Sequence, residues 1–127
     1  MGRRFSRDFG KPGEHNKEIV KIISFFFAAM FYVYILYSEV ADRYYVGHTN
    51  DPGRRLIEHN TVEEIKFTTK FRPWAMLLAF EVSESRGDAI RVERFIKRQK
   101  SRTFIRKLIE SGDDRSFIKA FVRDVVG

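Results

Sequence analysis

"YVYILYSEVADRYYVG", residues 32–47, decides the reading of this chain. Two runs rich in Tyr, Val and Ile, Phe31 to Tyr37 and Arg43 to Gly47, flank the polar interruption "SEVAD". Residues of that kind fit a pleated, half-buried surface, so each run reads as a strand and the interruption as the turn of a hairpin. The hairpin sets Tyr34 and Tyr45 on neighbouring strands. Taken alone, tyrosines in strands are packing residues.

Downstream, "NDPGRRLIEHN" (50–60) carries the start signals of a short helix: Asp51 as N-cap, Pro52 at the first helical position, and Leu56 and Ile57 as the inward residues. Arg55 and His59 are four apart and share one face of it. The stretch "VEEIKFTTKFRP" reads as a loop ending at Pro73. "WAMLLAFEV", Trp74 to Val82, reads as a third, nearly continuous apolar strand and hence a central one. Three helical stripes follow: Ala89, Val92, Phe95 and Ile96; then Phe104, Ile105, Leu108 and Ile109; then, after the "SGDD" break, Phe117, Ile118, Phe121, Val122 and Val125. The order β-β-α-β-α-α-α describes an α/β domain, a small three-stranded sheet flanked by helices, with extra helices at the C-terminus.

Upstream, residues 1–18 are polar, punctuated by Gly and Pro and without periodicity, which predicts a disordered leader. The apolar run Ile22 to Tyr37 follows basic residues and imitates a signal anchor, but it is shorter than the roughly 20 residues of a spanning helix, and its second half alternates like a strand. The reading is therefore against a membrane segment. Met30 stands where the domain pattern begins, so residues 1–29 read as a disordered or spurious extension, residues 30–111 as the domain and residues 112–127 as a C-terminal helix packed on it.

With 127 residues, 43% of them apolar, the chain can build one real core. Its 24 Lys and Arg against 17 Asp and Glu give a formal net charge of +7, much of it local. Between Glu84 and Lys107 nine basic residues stand against three acidic ones. That concentration favours a polyanion, nucleic acid first; its plain alternative is a solvated helix face. The absence of cysteine excludes disulfides, thiolate metal sites and cysteine nucleophiles, and reads as an intracellular, cytoplasmic protein. The three histidines, His15, His48 and His59, are too scattered for a zinc site. Chemistry here must use tyrosine, histidine, arginine and carboxylate.

Tyr32-Val33-Tyr34, Tyr45-Val46-Gly47, "RRLIEH", a third strand, and then a helix with the internal Glu93 followed by "IKRQKSR" form an ordered set. From about Met30 to Ile109 the chain resembles the GIY-YIG nuclease superfamily, in its small stand-alone bacterial form. Two departures stand out: Tyr32 occupies the glycine position of the first half-motif, and His48 stands where the repair-type incision enzymes of the family tend to carry lysine. The resemblance implies a metal-dependent endonuclease that hydrolyses phosphodiester bonds in DNA, structure-specific in repair or recombination, using Mg²⁺ or Mn²⁺ and no small-molecule cofactor. The alternative is a non-cleaving nucleic-acid-binding module on the same fold.

The residue chemistry agrees with that set. Phosphodiester hydrolysis needs an activated water, positive charge beside the crowded phosphorus and help for the departing alkoxide. Tyr45 is the expected general base where a cation, Arg55 or His48, favours its phenolate, with Tyr34 bonding the same water or phosphate. Arg55 is a permanently charged fork for a phosphoryl oxygen, and His48 and His59 can relay a proton or orient a tyrosine. Glu93 is the expected metal carboxylate. Arg91, Arg94, Lys97, Arg98, Lys100 and Arg102 are the expected nucleic-acid contacts. Plainer readings stand beside these: Glu93 as the surface ion-pair partner of Lys97, Arg54 in place of Arg55, and Gly47 as a mark of close packing or of a turn.

Overall fold

A computed structural model describes residues 18–19, 30–62 and 66–127. Residues 1–17 of the expected leader, His15 among them, and residues 22–29 of the apolar run lie outside the described residues. Among the described residues no helix is long and apolar enough to cross a membrane.

The hairpin pairs β1 (Phe31–Ser38) with β2 (Arg43–Thr49), and β3 (Trp74–Ser83) adds antiparallel to the other side of β1, giving the order β2-β1-β3. The central strand is therefore β1, and the expectation of a central β3 is corrected. The physical reason is visible in burial. Val33, Tyr34, Ile35 and Leu36 are buried in succession, facing both layers, whereas Ala75, Leu77, Ala79 and Glu81 of β3 are exposed. A continuous apolar run here marks a strand that changes faces. Between the pairs Leu36↔Met76 and Ile35↔Leu78 the register skips Leu77, which is 43% exposed. One extra residue in a strand reverses the alternation after it. Trp74 and Met76 consequently pack with Tyr34 and Leu36, while Leu78 and Phe80 pack with Val33 and Ile35 on the other side.

The hairpin turn is held by side chains. Ser38 Oγ donates to the Phe71 carbonyl at 2.6 Å and accepts from Ala41 N at 3.1 Å, and Tyr37 donates to Asp42 at 2.7 Å. Asp42 adopts φ 53°, a left-handed conformation that a short polar side chain tolerates.

Helix α1 (Pro52–Thr61) starts as its sequence predicts, Asp51 accepting from Arg54 N at 3.1 Å. Its inward residues are Leu56 and His59; Ile57 is 63% exposed, against expectation. Leu56 and His59 are one turn apart, and Ile57 lies about 100° round the helix from Leu56. The segment read as a loop before Pro73 contains a short helix, α2 (Lys66–Thr69).

Helices α3 (Arg86–Gln99), α4 (Arg102–Glu110) and α5 (Arg115–Val126) each begin at a side-chain cap, Ser85, Ser101 and Asp114, that accepts from the third residue beyond it. Ala89, Val92 and Ile96 of α3, Leu108 of α4 and Ile118 and Val122 of α5 close one core over Val33, Ile35, Val46, Leu78 and Phe80. Phe121 stacks edge-on against Phe80 and Phe95. Phe117, read as part of the α5 stripe, is instead 46% exposed. Ile118→Ala should therefore cost about 2–5 kcal/mol in urea-unfolding stability and Phe117→Ala less than about 1 kcal/mol. Equal losses would place Phe117 in the core.

Candidate active site

Tyr34 and Gly47 are directly paired across the hairpin, and the tyrosine ring lies over the glycine. A Cβ at position 47 would stand 2.5 Å from the Tyr34 hydroxyl oxygen and 2.6 Å from its Cζ. Close packing, and no turn, is what requires glycine there. The ring crosses to α1, where its hydroxyl meets His59 Nε2 at 2.8 Å. His59 Nδ1 lies 3.0 Å from Thr68 Oγ1 on α2, and Trp74 Nε1 donates to the Thr68 carbonyl at 2.8 Å. The Arg55 cation, close by, favours the ionised form of the Tyr34 hydroxyl. The assignment that serves these groups has the Tyr34 hydroxyl donating its hydrogen bond to His59 Nε2. His59 Nδ1–H then donates to Thr68.

The other half of the site comes from the opposite face of the same strand. His48, one residue past Gly47, points the other way, and its Nδ1 lies 2.6 Å from Glu93 Oε1 on α3. Lys97, one turn on, donates to Glu93 Oε2 at 2.6 Å and sits 5.8 Å from the centre of the Tyr45 ring. Tyr45 in turn lies edge-on to His59 with ring centres 4.8 Å apart. Contacts thus run from α1 through Tyr45 and Lys97 to Glu93 and His48, around the exposed edge of β2. His48, Arg54, Arg55, Glu58 and Arg86 line one cleft of about 290 Å³ at that edge. Tyr44, Tyr45, Lys97 and Lys100 line an adjoining groove of about 360 Å³.

A family model described as the GIY-YIG catalytic domain matches residues 30–107, which hold every residue of this site. The chain belongs to the GIY-YIG family. It is also similar to a UPF0213 protein of Limosilactobacillus reuteri, 34% identical over 85 residues, covering 66% of this chain and 88% of the relative. A UPF0213 protein of Streptococcus pyogenes is 37% identical over 73 residues, covering 57% of this chain and 76% of the relative. No solved structure matches. The GIY-YIG domain is a nuclease fold.

Within this GIY-YIG domain Tyr34 is closed to solvent and Tyr45 is half-buried. Tyr34 is 1% exposed, and burial pushes its phenol up to about 12 despite the nearby Arg55 cation. Burial, with the Arg55 cation next in size, pulls His59 down to about 4. At neutral pH both are uncharged, and Tyr34 is a hydrogen-bond donor to His59. Arg55 and Arg54 also differ: Arg55 is half-buried and pairs with Glu58 at 2.8 Å, while Arg54 is exposed, bonds Asn50 at 3.1 Å and stands 3.6 Å from Glu58.

The six basic residues singled out in sequence also divide. Arg91 is tied to Asp88 and Arg102 to Asp42, each at 2.7 Å, and Lys97 belongs to the Glu93 network. Arg94, Arg98 and Lys100 are exposed and form no ion pair among the described residues. Thr68, Glu58 and Arg86 join the site without having been singled out. Glu58 was readable as the i+3 partner of Arg55, and Arg86 as lying two turns before Glu93 on one helix face. Thr68 sits in a stretch without periodicity, where no signal points to it.

No three of His, Cys, Asp and Glu among the described residues cluster to hold a metal. A mostly hydrated Mg²⁺ needs only one or two carboxylates and substrate phosphate. Glu93 supplies one such carboxylate, and an ion held there would displace the Lys97 ammonium that now stands 2.6 Å from Oε2.

Two outcomes follow from the buried chain of bonds. The folded state holds His59 below its ordinary value of 6.5, so its contribution is fully present above pH 6.5 and is lost as pH falls from 6.5 toward about 4. The loss amounts to at most about 3 kcal/mol. Urea stability of His59→Gln should start lower at pH 7 but fall less steeply over that window. Parallel decline of variant and parent would show that His59 is not held neutral. Gly47→Ala should cost about 1–3 kcal/mol by overpacking against Tyr34, measured by the same unfolding curves.

Proposed function

We propose that the chain is a divalent-metal-dependent endonuclease that hydrolyses phosphodiester bonds in DNA at the edge of β2. The observation that carries this reading is the convergence of Arg55 and His48 on one cleft, with Glu93 bonded to the histidine. Arg55, steadied by Glu58, offers its fork to a phosphoryl oxygen of the scissile phosphate. Arg54 and Arg86 add positive charge at the rim. Glu93 would hold Mg²⁺ or Mn²⁺ in place of the Lys97 ammonium that its carboxylate now engages, and its bond to His48 keeps that ring oriented. The bound ion supplies positive charge beside the phosphorus and favours the ionised form of neighbouring hydroxyls.

The Tyr45 phenolic oxygen takes the proton of the attacking water. Tyr34 and His59 move no proton; they fix Arg55 and support the Tyr45 ring. A second reading gives the water proton to His48, and the 2.6 Å bond to Glu93 favours it. With Nδ1–H donated to the carboxylate, Nε2 keeps its lone pair, as a base working near neutral pH requires. A cytoplasmic setting and a structure-specific role in repair or recombination belong to the same proposal.

Cleavage by Tyr45→Phe and by His48→Gln separates the two bases. The variant lacking the base should cut about 10²-fold or more slowly, while binding DNA in Ca²⁺ as tightly as the parent. Arg55→Ala should lose both cutting and affinity. Parental cleavage rates in both single variants would leave the reaction without its base and overturn this assignment.

A further inference from the structure

A groove of about 580 Å³ lies away from the catalytic cleft, between α5 and the β3 side of the sheet. Its apolar floor includes Phe80, Val82 and Val122, and α5 contributes Arg115, Lys119 and Arg123. These three cations repeat every fourth residue, so they stand in a row that advances about 6 Å per step along the helix. All three are exposed and form no ion pair among the described residues. Arg55, Arg91, Lys97 and Arg102, by contrast, each have an acidic partner. Among the described residues Glu81 is the one acid that lines the groove. Helix α5 also lies beyond residues 30–107, the part matched by the family.

We propose that this row is a second binding site for the sugar–phosphate backbone of the substrate, separate from the catalytic cleft and specific to the C-terminal helix. The inference rests on the reading of the chain as a DNA-cutting enzyme. A row about 12 Å long faces several phosphates of a duplex that carries one charge per about 1.7 Å of axis. The catalytic cleft lies at the β2 edge and this row beside β3, the opposite edge of the sheet. A substrate must therefore extend past the cleft to engage both, and the row adds affinity for long DNA without touching the reacting phosphate.

The test is the full chain carrying Arg115→Gln, Lys119→Gln and Arg123→Gln together, with Lys119→Glu alone as a second variant and melting curves to establish folding. Binding is read by fluorescence anisotropy in Ca²⁺, across a salt series, on duplexes of about 30 and about 8 base pairs, and cleavage in Mg²⁺ on the same duplexes. On the longer duplex the triple variant should bind at least about tenfold more weakly, and its slope of log K against log salt should become shallower by about 2 to 3. The shorter duplex should be bound and cut as by the parent. Unchanged affinity and slope on the longer duplex, in a parent that binds and cuts it, would overturn this inference and leave the nuclease reading standing. Equal losses on both lengths would assign the cations to the catalytic track and overturn it as well. Failure of the parent to bind either duplex would remove both readings. Loss of binding to phosphatidylserine vesicles, with DNA binding unaltered, would replace the nucleic acid by a membrane surface.

Discussion

The hydrogen bond between the Tyr34 hydroxyl and His59 Nε2, 2.8 Å long and closed to solvent, is the constraint on which the rest of the site depends. It joins the central strand to α1, and it forms only because position 47 has no side chain to obstruct the tyrosine ring. Such a bond contributes only about 1 kcal/mol net, but leaving either buried partner unsatisfied costs about 1–3 kcal/mol. The surrounding bonds satisfy the remaining groups. Thr68 takes His59 Nδ1, Trp74 Nε1 takes the Thr68 carbonyl, and Asn60 exchanges bonds of 2.7 and 3.1 Å with the Trp74 backbone. Helices α1 and α2 and the start of β3 are thereby held to one another, and Arg55, one turn before His59, is carried into its place over Tyr34.

Strand β2 divides the labour by its two-residue period. Gly47 receives Tyr34 on the α1 face, and His48 meets Glu93 on the α3 face. Because β2 is an edge strand, side chains from both layers can meet around it, and Lys97 does so by reaching the face of Tyr45. An edge strand is ordinarily a liability, open to pairing with another chain. Here its flank carries the cleft.

Much of this was legible because the decisive signals are local. The paired tyrosine motifs, the Asp51-Pro52 helix start and the Arg55/His59 spacing each depend on neighbours within a few residues, and the sheet and helices form where they predict. What was not legible depends on the third dimension. β3 looked central from its apolar run, but its bulge at Leu77 divides that run between two faces. Ile57 and Phe117 are apolar residues that the helix period leaves outside, and the bond from His59 to Thr68 joins α1 to a short helix that no pattern announces. The partition of the basic residues into paired and unpaired ones follows from where Asp42, Asp88 and Glu93 fall, which only the folded chain fixes.

The central claim is that one phosphate-cutting site spans the β2 edge, with Glu93 as its metal carboxylate. The most direct measurement is cleavage of labelled linear, nicked, flapped and branched DNAs by the purified chain in Mg²⁺, Mn²⁺ and EDTA, beside Glu93→Gln. The account predicts internal cuts that require the metal and vanish in Glu93→Gln, with DNA binding retained. DNA bound tightly but left intact in every metal would contradict it and make the chain a binding module on a nuclease fold. Metal-independent cutting that survives Glu93→Gln would contradict the place given to the carboxylate.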